Sequence, residues 1–116
     1  MQFLNRIELI GVVGRSSVIP VEDGKTINLA VVTEYAYRDS QNNPTVETQW
    51  FNVIYSGGGN YVPTRGDKIH VVGRITFSRY TDENGQEHKM TQVVAKNIEK
   101  ILPETEVLKY ENAENL

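Results

Sequence analysis

From Arg6 onward, polar and apolar residues alternate, with Ile7 and Leu9 on one side and Glu8 on the other, up to Gly11 and Gly14, which suit a bulge or tight bend. This is a first strand. After the turn signal Asp23-Gly24-Lys25, residues Ile27, Leu29, Val31 and Thr33 alternate with Thr26, Asn28 and Ala30, and the run continues toward Tyr35 and Tyr37 as a long second strand. The polar stretch RDSQNNPT reads as a loop, and Val46 to Tyr55 as a third strand. That strand is apolar on both faces, with Phe51, Val53 and Tyr55 on one and Trp50 and Ile54 on the other. One face fills a core; the other needs a different use.

Residues 56–67, SGGGNYVPTRGD, carry a glycine triplet and Pro63, which oppose any helix longer than one turn. Ile69, Val71, Ile75 and Phe77 then alternate with His70 and Arg74 in a fourth strand, with Gly73 placed for a bend. Tyr80 to His88 reads as a hairpin centred on Asn84-Gly85, the pair that most easily supplies positive φ at both turn positions. Met90 to Ile101 forms the last strand. Five β-segments with glycine bends and no long helix predict a small all-β barrel or sandwich.

At 116 residues the chain has room for one core. No stretch has the unbroken apolar length of a membrane span, and the charges in MQFLNRIEL interrupt what a signal peptide would need to be apolar, so a cytoplasmic location is expected. Without cysteine there is neither a disulfide nor a thiolate metal site. The net charge of −3 is unevenly placed. Eleven Lys and Arg match eleven Asp and Glu in residues 1–102, whereas residues 103–116 set Lys109 against Glu104, Glu106, Glu111 and Glu114. A neutral domain at 1–102 and a mobile acidic tail at 103–116 are expected.

Enzyme chemistry has no carrier motif. There is no phosphate-binding G-x-x-x-x-G-K-[ST], no H-E-x-x-H and no EF-hand spacing, and His70 and His88 are far apart in sequence with no cysteine nearby, so no catalytic residue, metal or cofactor is expected. What remains is a set of aromatics beside cations: Tyr37-Arg38, Trp50 and Arg79-Tyr80. Single-stranded nucleic acid is bound by this combination, because each base offers a π-face for stacking while Lys and Arg neutralise the phosphates. On residue type alone, Tyr and Trp on strands are more often core or interface residues.

The order of these residues resembles the bacterial single-stranded DNA-binding protein family. Asn5-Arg6-Ile7-Glu8-Leu9-Ile10-Gly11-Val12-Val13-Gly14 resembles its opening strand; Leu29 to Thr33 followed by Tyr37-Arg38-Asp39 resembles its second. Glu47-Thr48-Gln49-Trp50-Phe51-Asn52-Val53, Lys68 to Ile75, and Arg79-Tyr80-Thr81-Asp82-Glu83-Asn84-Gly85 resemble the third strand, the fourth strand and the last hairpin. Each motif alone is unspecific; five in order from Leu4 to about Leu102 are specific.

The resemblance implies an OB-fold, a five-stranded Greek-key barrel, here with the helix between strands three and four shortened or absent. It implies sequence-independent binding of single-stranded DNA in replication, recombination or repair, by a homotetramer or dimer associated with the nucleoid. The implied base-stacking residues are Trp50, Tyr37 and Tyr80, and the implied phosphate-binding residues are Arg38, Arg65, Arg74 and Arg79. Tyr35, Tyr55 and Tyr61 are read as structural. Ser56 stands where many members have another stacking aromatic, and Thr76 and Ser78 stand at positions that are often basic, so a shallow salt dependence is expected. The tail lacks the family's Asp-rich tip ending in Pro-Phe, which argues against protein recruitment through it. A different class of function, a protein-interaction adaptor in a replication or restart complex using the same face, is the alternative.

Overall fold

The computed structural model describes residues 2–22, 24–57 and 60–103; the acidic tail expected from residue 103 lies outside them apart from Pro103. Five strands form a closed barrel: β1 (Ile7–Val21), β2 (Gly24–Arg38), β3 (Pro44–Ser56), β4 (Lys68–Thr81) and β5 (Glu87–Lys100), in the order β1-β2-β3-β5-β4. β1 closes the circle by pairing antiparallel with β4 along its first half and with β2 along its second. β3 and β5 meet in parallel, Val53 against Val93 and Ile54 against Val94. Among the described residues there is no helix, and hence none long and apolar enough to cross a membrane.

Period-two alternation sets the core. Ile27, Leu29 and Val31 of β2, Val53 of β3, Ile69 and Val71 of β4, and Val93 and Ala95 of β5 point inward with Leu9 and Val13 of β1. Phe51, Tyr55, Tyr61 and Val62 pack partly buried against them. Burying each such aliphatic side chain stabilises the fold by about 1.5–3 kcal/mol.

β1 does not end at its glycines but runs on to Val21. Gly14 is the extra residue of a bulge, since Val13 pairs with Val31 and Arg15 with Ala30, and the bulge bends the strand from its β4 partner onto its β2 partner. A second bulge lies in β5, where Lys96 is the extra residue between the pairs Val72–Asn97 and Gly73–Ala95. A Cβ at Gly73 would run into the Val94 carbonyl, so only glycine allows the strands to come this close. Just before β1, the Asn5 side-chain amide extends the ladder: Nδ2 donates to the Ile75 carbonyl at 2.8 Å and the Ile75 amide donates to Oδ1 at 3.0 Å.

The connector from β3 to β4 closes one end of the barrel with buried Pro63. Its anchor is Asp67, whose Oδ2 accepts from the Tyr61 hydroxyl at 2.8 Å and the Thr64 amide at 3.0 Å. Those bonds, that of Thr64 first, hold the Asp67 carboxyl below its ordinary value, and burial followed by the bond to Asp67 pushes the Tyr61 phenol up. Tyr55 and Tyr61 are thus structural.

Two hairpins leave the opposite end together, because β3 and β5 are parallel and each starts at its own hairpin tip. Their turns share one design. Asp39 accepts at Oδ1 from the amides of Gln41 and Asn43, and Asp82 accepts at Oδ1 from those of Asn84 and Gln86, all at 2.9 Å. Asn42 (φ 65°) and Gly85 (φ 79°) occupy the same left-handed position three residues after each aspartate. Asn84 itself does not adopt positive φ, so the expected two-residue turn gives way to a type I turn followed by a glycine bulge.

Candidate nucleic-acid interface

Strand register divides the predicted site residues between two faces. Residues paired directly across antiparallel strands point to the same side, so the core positions of each hairpin identify its inner face. In β2–β3 the inner face runs from Leu29–Val53 through Val31–Phe51 to Tyr35–Glu47 and Tyr37–Thr45, while Trp50 pairs with Val32 on the outer face. In β4–β5 the inner face runs from Ile75–Val93 through Phe77–Thr91 to Arg79–Lys89, while Tyr80 pairs with His88 on the outer face with Arg74–Val94.

Trp50 is 61% exposed. Its six-membered ring lies over the β1 bulge, in the space a Cβ at Gly14 would take. That bulge also holds the Arg65 loop: the Gly66 amide donates to the Val13 carbonyl at 2.8 Å, and the Val13 amide to the Asp67 carbonyl at 2.9 Å. Exposed Arg65 is therefore anchored one residue from the strand segment that supports the indole.

Tyr80 is 52% exposed, and one side of its ring is backed by His88, with centroids 5.0 Å apart and planes 18° from parallel. His88 is held in turn by its Nε2, 2.6 Å from Asp82 Oδ2. The His88 bond first, then the turn amides, keeps the Asp82 carboxyl below its ordinary value. Tyr37, 42% exposed, has a ring partner of another kind in Tyr35, at 6.2 Å and 25°. Tyr35, read as structural from sequence, is 68% exposed and has no core role. No aromatic pair joins Trp50, Tyr37 and Tyr80 to one another, so they are separate platforms rather than one cluster.

The four arginines differ in how far they are committed within the chain. Arg38 donates to the Asn42 carbonyl at 3.0 Å and so braces its own hairpin tip. Arg79 lies 3.4 Å from Glu87, with both side chains well exposed. Arg74 lines a groove at the β1–β4–β5 junction with Arg6 and Lys96, and none of the three is within ion-pair distance of a carboxylate among the described residues. Arg6 and Lys96 were not singled out from sequence. A bulge leaves Lys96 and Asn97 both on the outer side of β5, and Asn5 fastens the segment that carries Arg6; neither event has a local sequence signal. Arg15, also missed, lines a second shallow groove with Asn28, Asn52, Met90 and Gln92.

A closed barrel of this strand order, with exposed aromatics and cations on strands and hairpins, defines an OB-fold of the nucleic-acid-binding kind. The chain belongs to the single-strand binding protein family, whose model matches residues 4–101; members of this family bind rather than catalyse. It is 34% identical over 103 residues to the single-stranded DNA-binding protein of Rickettsia felis, covering 81% of this chain and 67% of that one. It is 28% identical over 109 residues to the mitochondrial single-stranded DNA-binding protein of Bos taurus, covering 82% and 73%. Among solved structures, the Plasmodium falciparum protein in complex with single-stranded DNA superposes with a TM-score of 0.77 at 19% identity, covering 88% of this chain and 98% of that one. A deletion mutant of the Thermus aquaticus single-stranded DNA-binding protein gives 0.73 at 20% identity, covering 87% and 52%. These structural likenesses establish the shared fold.

Proposed function

We propose that this chain binds single-stranded DNA without sequence preference, serving replication, recombination or repair, through an OB-fold domain spanning residues 1–102. Bases stack on Trp50, Tyr37 and Tyr80, and phosphates are neutralised by Arg38, Arg65, Arg74 and Arg79. The observation that carries this reading is Trp50: a large apolar ring left 61% exposed on a strand, supported from below by a glycine bulge. Stacking contributes about 1–3 kcal/mol per base, so three platforms suffice for useful affinity on a domain without net positive charge. The likeness to single-stranded DNA-binding proteins of bacteria and of a mitochondrion supports the same ligand. The test is fluorescence anisotropy of labelled oligo-dT with duplex DNA as competitor. Saturable binding to oligo-dT that duplex does not displace is expected; equal affinity for both would overturn the reading.

Self-association into a homotetramer or dimer goes with this function. The outer face of β1 supports it, since Ile10 is 55% exposed and Val12 lies beside it, next to the His70–Glu8 pair at 2.6 Å. Sedimentation should give a multiple of the 13.1 kDa chain mass, and Ile10→Glu should reduce it. The adaptor reading draws support from Arg38 and Arg79, both engaged within their own hairpins. Binding of a replication protein that persists at high salt and ignores oligo-dT would favour the adaptor.

A further inference from the structure

We propose that the β4–β5 hairpin carries a second nucleotide subsite, on the face opposite Tyr80, in which Phe77 stacks a base and Lys89 and Arg79 hold the adjoining phosphates. This rests on single-strand binding and adds a position to it. By alternation Phe77 continues the core series Ile69, Val71 and Ile75, yet it is 63% exposed and takes no part in the core. The reason is position: the strand has run past the end of the barrel, so its inner face meets solvent instead of other strands. Its cross-strand neighbour is Thr91, which offers little apolar cover.

Charge identifies the occupant. Lys89 Nζ lies 4.5 Å from the Phe77 ring centroid, and Arg79 is paired with Lys89 across the strands on the same face. Among the described residues, Arg79 has one carboxylate within ion-pair distance, Glu87 at 3.4 Å, and Lys89 has none. An exposed aromatic with a cation above it and a second beside it suits a base with its phosphates, whereas an apolar protein partner would have to bury both charges. The inner face of the other hairpin, leaving the same barrel end, carries Tyr35 and Tyr37. The β4–β5 hairpin thus presents an aromatic on each side, Tyr80 outward and Phe77 inward, and one strand of DNA can engage both.

The test uses the full chain with oligo-dT, following Trp50 fluorescence in Phe77→Leu, Phe77→Ala and Lys89→Ala. Phe77→Leu retains apolar bulk and removes the π-face, so it separates stacking from folding. Both Phe77 variants should lose about tenfold in affinity at unchanged salt slope and occlude fewer nucleotides per chain. Lys89→Ala should lower the salt slope by about one unit. Wild-type affinity in folded Phe77→Leu and Phe77→Ala would overturn the subsite while leaving single-strand binding intact. Failure of the unmodified chain to bind oligo-dT would remove the parent reading itself. A smaller sedimenting mass for Phe77→Ala with unaltered DNA affinity would mean that the face belongs to a second copy of the chain, which also overturns the proposal.

Discussion

The β2–β3 and β4–β5 hairpins are built on the same turn and differ in how they support an aromatic. Each begins its turn with an aspartate that accepts two amides at 2.9 Å, and each places a left-handed residue three positions later. In β4–β5 the second aspartate oxygen takes His88, and His88 backs Tyr80, so turn and platform form one unit. In β2–β3 the aspartate serves the turn alone, and Tyr37 leans on Tyr35 instead. One local design therefore gives a platform locked through a His–Asp hydrogen bond and another held by ring contact.

The hairpins should be alike at their roots. Ile27→Ala and Ile69→Ala, one fully buried position from each, should both cost about 3 kcal/mol in urea unfolding. A much smaller loss at either would mean that its hairpin is not continuous with the common core. The connector between them comes next: Asp67→Asn should cost about 2 kcal/mol at neutral pH, because Tyr61 and Thr64 lose a charged acceptor. The Asp67 carboxyl is lowered on folding, so its contribution is complete above the ordinary value of 3.8 and fades as pH falls through the lowered folded value. The Tyr61 phenol is raised, so its contribution is complete below 10.0 and fades as pH climbs above that. Thermal midpoints of wild type and Asp67→Asn should differ most between these limits and converge outside them.

At the platforms, Tyr80→Leu and Tyr37→Leu should each weaken oligo-dT binding about tenfold without lowering the thermal midpoint. The contrast between the hairpins appears with Asp39→Ala and Asp82→Ala. Only the latter should lower DNA affinity, because only Asp82 positions a residue that backs the ring; equal losses would erase the distinction. The smallest effect belongs to Asn42→Gly, which should stabilise the β2–β3 tip by up to about 1 kcal/mol, since the native φ of 65° is easier for glycine. Hydrogen exchange of the Asn43 amide would report it.

Much of the barrel is legible from alternation. The parity that buries Ile27, Leu29 and Val31 and that sets Trp50 opposite Phe51 and Val53 is a local property of each strand. Alternation names a face but not the point at which a strand leaves the barrel, and for that reason Phe77 and Tyr35 read as interior-side residues and are exposed. Bulges are similarly hidden. Gly14 advertises one through its missing side chain, while Lys96, an ordinary strand-surface residue by type, does not. The Asn84-Gly85 turn is decided by Asp82, whose carboxylate caps two amides and selects a loop with one left-handed residue instead of two. Motif order is enough to propose Trp50, Tyr37 and Tyr80 from sequence, whereas the groove of Arg6, Arg74 and Lys96 is not legible there, because it assembles from three strands' worth of distant sequence.

The central claim is that Trp50 meets the bases of a single strand. The chain has one tryptophan, so titration with oligo-dT at low and moderate salt, followed by intrinsic fluorescence, reads this position alone. Quenching by oligo-dT that is absent with duplex DNA and weakened by salt is the result this account predicts. Fluorescence that stays constant while oligo-dT binds, or no binding at all, would contradict it.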